Sequence, residues 1–133
     1  MLRKVTVETP KKGCLVEITE TVKNIVAESG VQDGMVVVMT TDVNASILIT
    51  SFYDSKGHED IIDDFVRIFP ARDNFHFGGS VTDGAAHSMS SVTGQTAEFI
   101  LSEGEMKLGG SQGIFFAEYS GAKTREYLVK IIS

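Results

Sequence analysis

The stretch Thr96–Ile132 reads TAEFILSEGEMKLGGSQGIFFAEYSGAKTREYLVKII, and it decides the fold class. Short runs, TAEFILS, EMKL, GIFFAEYS and TREYLVKII, are separated by glycine-bearing breaks. Apolar and β-branched residues between such breaks are the mark of antiparallel strands. Within the third run, alternation places Gln112, Ile114, Phe116 and Glu118 on one side, so Glu118 is an acid turned inward. Arg125, on the next strand, is its candidate partner. The GGSQG loop before that run reads as a plain turn or as backbone N–H groups open to an anion. It matches neither G-x-G-x-x-G nor a phosphate loop.

Working back through the chain adds helices to the strands. LRKVTV and CLVEIT alternate on either side of the breaker TPKKG, which suggests a hairpin. Thr19 or Thr21 is placed to cap a helix through Ser29, with Val22, Ile25 and Val26 on one face and Gly30 as its stop. MVVVMTT is a continuous β-branched run and reads as a strand buried on both faces. SILITSF reads as another strand. In GHEDIIDDFVRIFP, Ile61, Ile62, Phe65, Ile68 and Phe69 fall at helical spacing, and Pro70 ends the helix. Its acids read as a solvated face near the helix start rather than a metal site. A loop and a short helix from about Thr82 follow. The expectation is one α+β domain over residues 1–133, with antiparallel-rich sheets packed against two to three helices.

Composition narrows the function. The chain has 133 residues and a formal net charge of −6, which argues against a non-specific nucleic-acid binder. The lone cysteine, Cys14, leaves no intrachain disulfide and suits a small core position. MLRKVTVETPKKG lacks the apolar core of a signal peptide, and no run approaches the length of a membrane span. A cytoplasmic protein with no membrane and no nucleic-acid partner is expected.

Three histidines are present, His58, His76 and His87. His58 opens the acidic helix and reads as exposed. His76 lies between Phe75 and Phe77. His87 follows Gly84, Ala85 and Ala86, and Asp83 lies four positions before it, on the same helix face. That spacing orients an imidazole, completes a metal shell, or makes an ordinary surface pair. No nucleophile elbow surrounds Ser88 or Ser111.

GEMKLGGSQGIFFAEYSGAKTR resembles the C-terminal signature of the YjbQ-type family, also called the secondary thiamine-phosphate synthase enzyme family. That signature runs G-x-L-x-L-G-x-W-Q-x-I, a short strand, then E-F-D-G-P-R-x-R. SGVQDGMVVVMTT, DIIDDFVRIFP and DGAAHSM resemble further family segments in the same order, so the resemblance spans nearly the whole chain. It implies a YjbQ-like fold, a homotrimer, and a polar site with several histidines near a subunit boundary. It also implies a weak thiamine-phosphate synthase activity, joining a pyrophosphate-bearing pyrimidine to a thiazole phosphate.

Several motif positions differ here. The family's H-T-T reads Met39, Thr40, Thr41, and Asp42 to Asn44 follow as extra residues. Ser51 stands for a glutamate, and Phe75-His76-Phe77 for Y-x-H. Ser111 stands for tryptophan, Ser120 for an acid, and Ala122-Lys123 for Pro-Arg. Asp83, His87, Gln112, Glu118 and Arg125 are retained. The resemblance therefore assigns His87, Asp83 and Glu118 to catalysis, and Thr40, Thr41, Gln112, Lys123 and Arg125 to a small phosphorylated or acidic ligand. Gln112 and Glu118 are expected beside His87, with Glu118 either an inward acid at the pocket partnered by Arg125 or one half of a salt bridge at the trimer interface. A divalent metal, zinc or magnesium, would rest on His87 and His76, with Asp42, Asp83 or Glu118 as oxygen ligands. The alternative is a non-catalytic trimeric protein, binding a small ligand or serving a structural role.

Overall fold

β1 (Leu2–Thr9) and β2 (Cys14–Glu17) are not a hairpin: they lie in different sheets. The computed structural model describes residues 2–133. In it β1 pairs antiparallel with β8 (Lys123–Ile132) along its whole length, from Leu2 opposite Lys130 to Thr9 opposite Lys123. β2 pairs with β7 (Gln112–Glu118), Cys14 opposite Glu118. Alternation shows which face of a strand is buried and says nothing about its neighbour. The eight-residue ladder to β8 satisfies more backbone than the four residues of β2 could. The segment between them, with Gly13 at φ 69°, carries the chain from one sheet to the other.

The remaining elements are α1 (Thr19–Ser29), β3 (Gly34–Met39), β4 (Ala45–Ser51), α2 (Ser55–Ile68), α3 (Val81–Thr93), β5 (Thr96–Ser102) and β6 (Glu105–Met106). The large sheet has the order β1-β8-β3-β5-β6, the small one β2-β7-β4, and all their pairings are antiparallel. The inner faces of both sheets and the apolar stripe of α1 form the main core, with Val36, Val38, Phe99, Ile114, Phe116 and Tyr127 inside it. On the other side of the small sheet, α2 and α3 bury Ile62, Ala85, Ala86 and Met89 against Ala117 and Tyr119.

The helices depart from expectation at their ends. α1 stops at Gly30 in the left-handed region, φ 70°. Neither Thr19 nor Thr21 caps it, because Ile18 takes the N-cap position. The Thr19 hydroxyl instead donates to Glu17 Oε2 (2.9 Å) and accepts from Ile114 N–H (2.9 Å), tying α1 to β7. α2 begins at Ser55, where the Asp54 side chain accepts from Lys56 N–H, and Phe69 and Pro70 end it. α3 has thirteen residues, capped by Ser80. Its small residues serve packing: a Cβ at Gly84 would lie 2.9 Å from the Phe75 ring.

β3 is not buried on both faces. Val36 and Val38 face the core, whereas Met35 and Met39 are exposed on the opposite face. No described helix is long and apolar enough to cross a membrane.

Candidate functional site

β7 and β8 meet at a polar cluster just past the turn that joins them. Glu118 ends β7 with no exposed surface, and its carboxylate has five donors. Oε1 accepts from Arg125 Nε (2.9 Å) and Thr9 Oγ1 (2.7 Å). Oε2 accepts from Arg125 Nη2 (2.9 Å) and from the N–H groups of Ser120 (3.1 Å) and Gly121 (2.9 Å). Gly121 has to be glycine for this approach, since a Cβ there would sit 2.7 Å from the Glu118 carboxyl carbon. Burial pushes the Glu118 carboxyl up, but the bonds from Arg125, Thr9 and Ser120 outweigh it and hold the group below its ordinary range.

Arg125, also buried, makes four hydrogen bonds: two to Glu118, one to Asp42 Oδ2 (2.7 Å) and one to Ser120 Oγ (3.1 Å). A guanidinium has five N–H groups, so little of it remains for a ligand. The carboxylates raise its already high pKa. Asp42 folds its own loop as well, Oδ1 accepting from Asn44 N–H at 2.8 Å. Asn44 Nδ2 then bridges Asp83 Oδ1 (3.0 Å) and Ser120 Oγ (2.9 Å), joining α3 to the cluster. Asn44 Oδ1 is buried with no partner, alone in this among the described residues.

The retained motif residues therefore divide. Glu118, Arg125 and Asp83 belong to one connected network through Asp42, Asn44 and Ser120. His87 stands one turn from Asp83, yet Asp83 is bonded to Asn44 and the His87 ring makes no hydrogen bond among the described residues. The ring lies edge-on to Phe77, centroids 5.0 Å apart. His76 is exposed and has no contact with His87 of this kind. Gln112 is not beside His87. It sits at the far end of β7, about 20 Å along the strand from Glu118. There it faces Ser51, and its Oε1 accepts from Gly109 N–H at 2.8 Å, closing the glycine loop. Thr40 is buried, donating to Glu126 O (3.1 Å) and accepting from Asp42 N–H (3.2 Å), so it shapes the loop. Thr41 and the Lys123 side chain are exposed.

His58 is half-buried, with Nε2 2.7 Å from Ser51 O and its ring edge-on to Phe115. It therefore fastens the start of α2 to the small sheet.

The residue types do not converge on a metal within one subunit. Among the described residues no three of His, Cys, Asp and Glu form a group that could hold a metal ion. Glu118 is saturated, Asp83 is shared with Asn44, and His76 is apart. Sequence reasoning missed Thr9 and Asn44. Thr9 ends an ordinary alternating strand, which carries no sign of its role. Asn44 lies in the three residues that depart from the family pattern, and that insertion was the available signal.

The two-sheet α+β domain with its polar corner at the β7–β8 turn is a known protein class. The profile described as "UPF0047 protein YjbQ-like" matches residues 3–133. The chain belongs to this family. A UPF0047 protein of Methanocaldococcus jannaschii is 38% identical over 133 residues, covering 99% of this chain and 94% of that one. UPF0047 protein YugU of Bacillus subtilis is 28% identical over 134 residues, covering 99% of each. Among solved structures, an uncharacterised conserved protein of the family from Clostridium acetobutylicum superposes with a TM-score of 0.91 at 34% identity. That match covers 98% of this chain and 99% of that one. A YbjQ-like protein of unknown function from Sulfolobus solfataricus gives 0.92 at 25% identity, covering 98% and 95%.

Proposed function

We propose that this protein is a ligand-binding member of the family, one that holds a small phosphorylated or acidic molecule without forming thiamine phosphate. One observation carries the reading: Glu118, which the resemblance assigns to catalysis, and Arg125, which it assigns to the ligand, are occupied by each other and by their own turn. A carboxylate with five donors and a depressed pKa is neither a proton acceptor near neutral pH nor an open metal ligand. The groups left for a ligand lie on the rim: His87 on α3, Thr41 just past β3 and Lys123 at the start of β8. The homotrimer that the resemblance implies belongs to the same reading, because a rim without its own cavity is completed by a neighbouring subunit.

The test pairs binding with turnover. Thermal shift with inorganic pyrophosphate and with thiamine phosphate should stabilise the wild type, and His87→Ala and Lys123→Ala should abolish the response. Incubation with a pyrophosphate-bearing pyrimidine, thiazole phosphate and magnesium should yield no thiamine phosphate. Product that accumulates with wild type and vanishes with His87→Ala overturns the proposal in favour of the synthase. Absence of any shift overturns it in favour of a purely structural role.

A further inference from the structure

The segment that leads into α3 is fastened at both ends and loose between them. On one side the Phe75 ring packs into the space that Gly84 leaves open, with the Arg72 guanidinium 4.1 Å from its centroid. Phe75 thereby joins the core that α2 and α3 form with the small sheet. On the other side Ser80 caps α3, its hydroxyl accepting from Asp83 N–H at 3.0 Å. Between these anchors His76, Phe77, Gly78 and Gly79 make no hydrogen bond among the described residues. Phe77 is 46% exposed and belongs to neither core.

Two features set the place of the Phe77 ring. It meets the imidazole of the half-buried His87 edge-on, at 66° and 5.0 Å between centroids. It is also folded back over Gly79, where a Cβ would collide with it. Gly78 stands in the open, and a Cβ there would meet nothing within 4 Å. An aromatic pair of this kind is about as strong as one ordinary hydrogen bond. Two successive glycines give the backbone freedom to carry the ring away, and no ladder bond or packed core contact has to break.

We infer that Phe77 is a shutter on His87. In the empty protein its ring covers the imidazole, and a small anionic ligand reaches His87 after the ring swings out on Gly78 and Gly79. Phe77 therefore controls entry to the rim and adds no contact to the ligand. Closed molecules do not bind, so the apparent affinity falls with the fraction that is closed. The contrast with Phe75 is physical: one ring is buried against Gly84 and held by Arg72, and the other rests on the imidazole with half its surface in water. The inference rests on His87 as a ligand group in the proposed function, and deepens that reading by naming the residue that governs access.

Two measurements on the full chain test it. The first is calorimetric titration with inorganic pyrophosphate of wild type, Phe77→Ala and Gly79→Ala. Phe77→Ala removes the shutter, and Gly79→Ala pushes the end of the ring off His87. Both should lower the dissociation constant about three- to tenfold while circular dichroism stays native. The second is the nuclear Overhauser effect between the Phe77 and His87 ring protons. It should be present in the free wild type, and lost both at saturating pyrophosphate and in Gly79→Ala. Weaker binding by Phe77→Ala would make the ring a ligand contact and overturn the shutter. Unchanged dissociation constants overturn it, as does a ring contact that is absent from the free wild type or survives saturation. Each of these outcomes leaves the proposed function standing. Pyrophosphate bound by none of the three proteins overturns the proposed function and the shutter together.

Discussion

Arg125 holds Glu118 by both carboxylate oxygens, and the two residues belong to different sheets. Glu118 closes β7 in the three-stranded sheet, and Arg125 sits inside β8 in the five-stranded one. The short turn from Tyr119 to Ala122 links their two strands along the chain. The bidentate pair fixes the angle at which the chain leaves one sheet for the other. Thr9, at the end of β1, binds the same carboxylate from a third strand. The corner is an architectural joint first, and any ligand chemistry has to use what lies around it.

Breaking the joint should be costly. Both partners are buried, and removing one of a buried pair leaves an uncompensated charge. Arg125→Met should lower the unfolding free energy by about 3–5 kcal/mol in urea titrations. Adding Glu118→Leu to it should recover part of that loss. A single-variant cost under about 1 kcal/mol would mean that water already reaches the corner.

The same carboxylate gives stability an acid limb. Its pKa in the fold lies below its ordinary value of 4.5. The folded chain therefore binds a proton there less readily than the unfolded chain. That contribution is complete above 4.5 and is lost as the pH falls through the folded value. Urea midpoints measured from neutral pH downward should fall steeply in the wild type and less steeply in Glu118→Gln. Equal slopes would assign the acid limb to other groups.

Much of the fold is legible in the residues, and its pairing is not. Alternation marks β1 and β8, and helical spacing with Pro70 marks α2. The valines of β3 mislead because a buried face and an exposed apolar face look alike in a continuous run; only the register with Ile100 and Ile132 separates them. In the site, Glu118 and Arg125 can be read as an inward acid and its cation. Gln112 shows the limit of that logic: sharing a face of β7 with Glu118 does not make it a neighbour. Asp83 and His87 have the spacing of a pair, but Asn44, from a loop with no periodicity, takes the carboxylate instead.

Cys14 should be a quiet thiol. Burial pushes its pKa up from 9.0, and Sγ donates to the Lys11 carbonyl at 3.2 Å. The thiolate is the reactive form. Alkylation by iodoacetamide near neutral pH should run at least about tenfold slower in the native protein than in urea. Equal rates would show that the β1–β2 connection opens readily.

Asn44 offers the sharpest test of the network's polarity. Its amide nitrogen donates to Asp83 Oδ1 and to Ser120 Oγ, while its oxygen is buried without a partner. Asn44→Asp keeps the shape and exchanges that donor for a second carboxylate against Asp83. Two carboxylates at hydrogen-bond distance share one proton, so the carboxyl introduced at position 44 should titrate above the ordinary range. The sign is then opposite to that of Glu118: the variant is held together while protonated and loses stability as the pH rises through the raised value. Melting temperatures of wild type and Asn44→Asp should converge in mild acid and separate toward neutral pH, by about 2 kcal/mol in stability. A variant that matches wild type at neutral pH would show that Asn44 does not face Asp83 as a donor.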